Sequence, residues 1–133
     1  MPKPFKLSKS YIYENIFFWK INCLAKSKNI AVIIYKLTKN FPKEELFGMT
    51  SQMRRCSVSI ASNIAEGSGR HSSKDKARFT EISYSSALEL LNQTIISLEL
   101  EYITEENYKI IRKEIEEVTY MLDALYKAQL KEV

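Results

Sequence analysis

Apolar side chains recur every three or four residues through most of this 133-residue chain, and that spacing constrains its fold more than any other feature. Steps of three or four residues place side chains on one face of an α-helix. No segment alternates apolar and polar residues with the period of two that is typical of a β-strand. Only 3 Gly and 3 Pro are present, so there is little material for turns. The pattern predicts an all-α fold built from a few long helices.

Stop signals divide the pattern into four predicted helices. Asn15 is placed to cap the first helix, and Pro42 should end it. Gly67 is expected to end the second helix in the left-handed conformation, and Ser72 with Asp75 should cap the third. Because the connections are short, the prediction is an antiparallel up-down-up-down four-helix bundle, a single domain over residues 1–133. The predicted helices span about 15–41, 50–67, 72–102 and 104–131.

The third predicted helix carries more apolar surface than one neighbouring helix would cover. Its expected core seam has steps of three or four residues and consists of Leu88, Leu91, Ile95, Leu98 and Tyr102. Further apolar residues widen the surface beyond that seam: Phe79, Ile82, Ala87 and Leu90. In the second helix, Ser57, Ala61 and Ala65 form a stripe of small side chains that lets another helix approach closely. The surplus apolar surface argues against a monomer.

Charge is distributed unevenly along the chain, although the net charge is only +4. Residues 1–41 contain eight Lys and one Glu, whereas residues 79–133 contain five basic and eleven acidic residues. Such a gradient can provide a basic surface for phosphates, or complementary faces that pair within a bundle or an assembly. Composition leaves both interpretations open.

The two cysteines and the absence of targeting signals bear on the compartment. Cys23 and Cys56 both fall on apolar stripes and form no CxxC motif, which favours buried thiols in a reducing cytosol. No run reaches the roughly 20 apolar residues of a membrane span, and the first residues lack a signal-peptide pattern. We therefore expect an unprocessed cytoplasmic protein that does not enter a membrane.

Residues with the chemistry of an active site are scarce. His71 is the only histidine, the chain has no glycine-rich phosphate loop, and the Glu-x-x-His signature of bundle metal sites is absent. We predict that the protein has no catalytic residues, no metal site and no cofactor, and that it is not an enzyme.

Basic residues cluster around the predicted turn into the third helix. An exposed basic turn beside the free N–H groups of a helix amino terminus is suited to binding phosphate. The alternative is a solvated, charge-rich loop without a ligand. The candidate nucleic-acid-binding residues are Arg70, His71, Lys74, Lys76 and Arg78, with Arg54 nearby in the preceding helix.

A second polar set lies along one edge of the second predicted helix. Its members follow one another at steps of three or four residues: Gln52, Arg55, Ser59, Asn63 and Glu66. They could line a ligand or nucleic-acid surface, with Arg55 on a phosphate. Alternatively, Arg55 and Glu66 join a fixed hydrogen-bonded network between helices or protomers that sets their register.

The segment from Gln52 to Ile60, followed by Asn63-Ile64-Ala65-Glu66-Gly67, closely resembles the 23S rRNA intervening-sequence proteins, also called the four-helix-bundle family. The preceding stretch from Phe41 to Thr50 matches as well, and the resemblance covers most of the chain. Ser85 and Cys56 depart from the residues usual in the family, but both are compatible with a helix.

This resemblance implies a four-helix protomer that assembles into a homopentameric barrel. It also implies kinship with the accessory protein of diversity-generating retroelements, which is thought to bind nucleic acid and a reverse transcriptase. We therefore expect a non-enzymatic homo-oligomer that binds RNA or DNA through basic surface residues. The alternative is a scaffold that docks a partner enzyme such as a reverse transcriptase.

Overall fold

The structure is a computed structural model that describes the backbone of residues 9–131 and the side chains of residues 16–131. Four helices pack in chain order: α1 (Lys9–Thr38), α2 (Met49–Ser68), α3 (Ser73–Glu99) and α4 (Glu105–Lys131). A short 3₁₀ turn, Lys43–Glu45, lies in the connector between α1 and α2. Helices α1 and α3 each pack against both α2 and α4. The described part of the chain contains no strand, and the fold is the predicted all-α four-helix bundle.

The core is formed by aliphatic side chains at the predicted helical spacing. Fully buried residues come from every helix and include Cys23, Ile34, Ile60, Leu90, Ile115 and Leu122, each with no exposed surface. Cys23 and Cys56 are free and buried, as their positions on apolar stripes predicted. Burial raises the pKa of both thiols to about 12; at Cys56 the neighbouring carboxylate of Glu89 adds to the effect of burial. Neither thiol is therefore an effective nucleophile at neutral pH.

Both ends of α1 differ from their predicted positions. The helix already includes Asn15, because it begins at Lys9, so the prediction that Asn15 caps it is wrong. It ends at Thr38, where the N–H of Phe41 donates to the Thr38 carbonyl oxygen at 3.1 Å. Proline restricts the residue before it, so Phe41 leaves the helix and packs against Tyr102, with ring centroids 5.3 Å apart.

Gly67 does not end α2 in the left-handed conformation, because no glycine of the chain has a positive φ. It lies inside the helix, where a Cβ atom would stand only 2.9 Å from the Cβ of Phe79 on α3. Its small size therefore permits the close approach of two helices. The prediction that Ser72 caps α3 is confirmed, since its Oγ accepts a hydrogen bond from the Asp75 N–H at 3.1 Å.

The left-handed stop occurs at the other end of α3, on a residue that is not glycine. Glu101 has a φ of 63°. The Tyr102 N–H donates to the Ser97 carbonyl at 2.9 Å, and the Glu101 N–H donates to the Leu98 carbonyl at 3.0 Å. This pair of bonds is a Schellman motif, which satisfies the last free carbonyl groups of the helix.

The predicted seam of α3 is correct at Leu91, Leu98 and Tyr102, which are half-buried against the core, but it misses the most deeply buried residues. The buried stripe runs through Ala87, Leu90, Thr94 and Ser97, whereas the predicted Leu88 is 47% exposed. Small and hydroxyl side chains face the bundle because α2 and α3 approach closely; the Ser83 hydroxyl donates to the Ile60 carbonyl at 2.9 Å. Four large apolar residues of α3 and its carboxyl cap consequently remain 36–50% exposed: Ile82, Leu88, Ile96 and Leu100.

Candidate nucleic-acid interface

Five of the predicted basic residues gather at the turn between α2 and α3, and we call Arg70, His71, Lys74, Lys76 and Arg78 the basic turn. The guanidinium carbons of Arg70 and Arg78 lie 4.6 and 4.9 Å from the centroid of the Phe79 ring. Phe79 is only 9% exposed and is held against Gly67. One well-packed ring therefore orders two arginine side chains at the surface.

The carboxylates beside the basic turn pair only weakly with its cations, so its positive charge remains available to a ligand. Arg70 pairs with Glu66 at 3.0 Å, and Arg78 lies 3.7 Å from Asp75. All four side chains are at least 41% exposed, and ion pairs so exposed to water contribute little to stability. His71 and Lys74 are exposed and form no ion pair with any described residue. A phosphate group can compete for these cations at little energetic cost.

Arg54 is separated from the basic turn. Its Nε donates to the Thr38 hydroxyl at 2.9 Å, and its guanidinium carbon lies 4.8 Å from the centroid of the Tyr35 ring. Both partners belong to α1, near the start of α2. At 1.5 Å per helical residue, roughly 20 Å of α2 lies between Arg54 and the basic turn. The structure therefore does not bring Arg54 together with the other five candidates.

The polar side chains along the edge of α2 form most of their hydrogen bonds within that helix. Arg55 donates to the side chain of Gln52, and the Asn63 amide donates to the Ser59 carbonyl at 2.9 Å. One bond crosses to α3, joining the hydroxyl groups of Ser59 and Ser86 at 3.0 Å. Arg55 and Glu66 are exposed and do not link helices within the protomer. One bond at Ser59 therefore crosses to α3, while a network through Arg55 and Glu66 between protomers stays a prediction.

A cleft of about 110 Å³ opens beside the basic turn, where all four helices meet. Half-buried Lys20 and Lys76 line it together with Thr80 and Gln129. The Thr80 hydroxyl donates to Gln129 Oε1 at 2.7 Å, and Gln129 is only 4% exposed. Sequence reasoning missed Lys20, Thr80 and Gln129 as site residues. A signal existed, because Gln129 follows Leu122 and Leu125 on the apolar stripe of α4, where a polar side chain is unexpected.

Other kinds of site find little support among the described residues. Within residues 16–131, no three His, Cys, Asp or Glu side chains are grouped so that they could hold a metal ion. No described helix combines the length and the apolar character required to cross a bilayer.

Comparisons with curated proteins, solved structures and family profiles identify what this chain is similar to. A search of curated proteins finds no match. A solved structure of similar fold is a protein of unknown function from the S23 ribosomal protein family of Bacteroides thetaiotaomicron VPI-5482. It is 29% identical, with a TM-score of 0.76, and the match covers 82% of this chain and 98% of that one. The profile of the 23S rRNA-intervening sequence protein family matches residues 20–124. This four-helix chain therefore belongs to the 23S rRNA-intervening sequence protein family.

Proposed function

We propose that the protein is a non-enzymatic homo-oligomer that binds the phosphate backbone of RNA or DNA through its basic turn. The observation that carries this proposal is the placement of Arg70 and Arg78 over the Phe79 ring. Ordered guanidinium groups beside exposed Lys74 present several cations on one surface, and such a surface binds phosphates independently of sequence. The family name, which refers to an insertion in 23S rRNA, is consistent with an RNA ligand.

Self-association is supported by apolar surface that the bundle leaves uncovered. Leu88 of α3 and Leu100 at its carboxyl end are 47% and 50% exposed, and Phe17 and Phe18 of α1 are 61% and 58% exposed. Large apolar side chains that join into a contiguous exposed patch mark protein contacts. A pentamer is the state that the family resemblance implies. A ring would repeat the basic turn and so increase the avidity for a long nucleic acid.

A non-catalytic role in the cytoplasm fits the remaining chemistry. The pKa of each thiol is raised to about 12 by burial, so neither Cys23 nor Cys56 is an activated nucleophile. Free, buried cysteines are also typical of a reducing compartment.

The test is a titration of labelled RNA and duplex DNA at several salt concentrations. Replacing three residues (Arg70→Gln, Lys74→Gln and Arg78→Gln) should weaken binding and reduce the slope of log affinity against log salt by about 2 to 3 units. A matched control removes three exposed basic residues of α4, Lys109, Arg112 and Lys113, and should leave the slope nearly unchanged. Salt-independent binding, or equal losses in both variants, would contradict the proposal.

A second candidate function is a scaffold that docks a partner enzyme such as a reverse transcriptase. It is favoured by the polar edge of α2, where Arg55 and Asn63 lie beside exposed Val58. The test is co-purification of the native chain with a co-expressed reverse transcriptase. Loss of the complex on Arg55→Ala, with nucleic-acid affinity unchanged, supports the scaffold; failure of the native chain to form a complex counts against it.

A further inference from the structure

The cleft beside the basic turn has a positive lining. Lys20 reaches it from α1 and Lys76 from α3, and no acidic residue of 16–131 lines it. Neither lysine forms an ion pair with any residue whose side chain the structure describes. Both are half-buried, so water screens their charges less than those of the exposed lysines. Two such cations around one cleft favour an anion.

A buried amide adds directional donors to the same cleft. Gln129 is 4% exposed, and its Oε1 accepts from Thr80 at 2.7 Å. The Thr80 hydroxyl also lies 3.2 Å from the Lys76 carbonyl oxygen, but its shorter contact with Oε1 turns that oxygen towards Thr80 and leaves the Nε2 group for other partners. No acceptor for Nε2 exists among the described residues. An oxygen ligand in the cleft would accept a hydrogen bond from these N–H groups.

The remaining walls limit the size and the shape of the ligand. Ile64, Leu125 and Ile16 provide apolar sides, and Gly67 forms part of the wall without a side chain. A volume of about 110 Å³ accommodates one phosphate group but is too small for a whole nucleotide. The entrance lies beside Ser68 and Phe17, the latter 61% exposed, so a group attached to the phosphate could extend to the surface.

We propose that this cleft binds a phosphate group, either free or at the end of a nucleic-acid strand. The negative charge lies between Lys20 and Lys76, and one oxygen accepts a hydrogen bond from Gln129 Nε2. This site shares Lys76 with the basic turn, but it does not require that the turn bind a phosphate backbone.

The first experiment titrates inorganic phosphate into the ¹⁵N-labelled native chain at constant ionic strength and follows side-chain amide signals by NMR. The Gln129 Nε2 resonances should shift and saturate. Lys20→Met and Lys76→Met should each weaken binding about fivefold to tenfold, because each removes one charged partner. Lys28→Met on α1 and Lys39→Met just beyond its end are controls at exposed positions and should bind as the native chain does.

A third variant tests whether a loss of phosphate binding arises without a general loss of structure. Gln129→Glu retains an oxygen that can accept from Thr80, yet it replaces the amide donors with a second carboxylate oxygen that repels an anion. We expect a folded protein, as judged by its thermal unfolding curve, with phosphate binding abolished. Unchanged phosphate affinity in this variant, or no saturation of the native chain by about 10 mM phosphate, would overturn the proposal.

The second experiment separates the two sources of the phosphate. Oligonucleotides of one sequence are compared with a 5′-phosphate or a 5′-hydroxyl end. Tighter binding of the phosphorylated strand by about tenfold, lost in Lys76→Met, supports an end-binding site. Equal affinities, combined with saturable inorganic phosphate binding, support a site for a free phosphate compound. If the basic turn fails to bind nucleic acid, the inorganic phosphate titration still decides whether the cleft is a site.

Discussion

The two ends of the bundle have similar numbers of basic residues, yet they present different surfaces. At the end formed by the α2–α3 turn, Lys20, Lys74 and Lys76 have no ion-pair partner among the described residues. At the opposite end, the basic residues likewise have no ion-pair partner among the described residues: Lys36, Lys39, Lys43 and Arg54. That end, however, also carries six carboxylates: Glu44, Glu45, Glu99, Glu101, Glu105 and Glu106. Burial together with Glu45 and Glu44 raises the pKa of Tyr102 there. The two ends therefore differ in their balance of charge more than in their number of basic residues.

The largest expected effect comes from disturbing the close helix contact below the basic turn. Gly67→Val should lower the free energy of unfolding by about 3 kcal/mol, because its Cβ would overlap the Phe79 Cβ atom 2.9 Å away. Gly69→Ala is the control, since its nearest neighbour, the Glu66 carbonyl oxygen, is 3.6 Å away. Urea denaturation of both variants measures the difference. Equal stability of the two would show that the helices are not held this closely.

Two substitutions compare the aromatic rings that lie against arginine side chains at the two ends of the bundle. Phe79→Leu removes the ring beneath Arg70 and Arg78 and should lower nucleic-acid affinity about threefold to fivefold, given the usual strength of such contacts. Tyr35→Leu removes the ring beneath Arg54 at the opposite end and should leave affinity unchanged. Binding titrations at low salt provide the readout. An equal loss in both variants would remove the distinction between the two ends.

A smaller effect is expected at the end of α3, where Glu101 holds a left-handed conformation with a φ of 63°. Glu101→Gly should raise the free energy of unfolding by about 0.5 to 1 kcal/mol, because glycine adopts this conformation without steric cost. Glu101→Ala removes the charge but keeps the conformational cost, so it should give no such gain. Thermal or urea unfolding distinguishes the two, and equal stabilisation would assign the effect to charge instead.

The smallest effect concerns charges that pair midway along the bundle. Lys26 of α1 contacts Glu117 and lies 3.1 Å from Glu114 on α4. A side-chain hydrogen bond from Lys26 holds the pKa of Glu117 below its ordinary value. The folded state therefore gains stability from this carboxylate above its unfolded pKa and loses it as the pH falls through the folded one.

Glu117→Gln should accordingly be slightly less stable than the native chain at pH 7, and this difference should disappear well below pH 4. Urea denaturation at the two pH values measures it. A difference that persists in acid would show that the substitution acts through packing, since the carboxylate is then protonated.

Much of the fold could be predicted because its signals are local. Ser72 caps α3 through a residue three positions away, and the apolar stripe of α4 needs only its own periodicity. The predicted seam of α3 missed the most deeply buried stripe because apolar character identifies which residues can be buried, whereas the close approach of α2 selects small ones such as Ala87 and Ser97. The sequence of α3 alone does not indicate how closely α2 packs against it.

The residues of the candidate site likewise divide into those that the sequence could predict and those that it could not. The basic turn could be predicted because its five members are close in sequence. Lys20 and Gln129 could not be joined to it, since they meet only when the first and last helices pack together. Arg54 was grouped with the turn because it precedes it by a few helical turns, yet those turns place it at the opposite end of the bundle.

The burial of both thiols has a practical consequence for studying this chain. With Cys23 completely buried and Cys56 only 5% exposed, maleimide reagents should leave the native cysteines unmodified in the folded protein. A single surface substitution such as Lys74→Cys would then carry a fluorophore or spin label at a defined position. The bundle is thus already suited to distance measurements that test whether copies of the chain associate, without prior removal of its own cysteines.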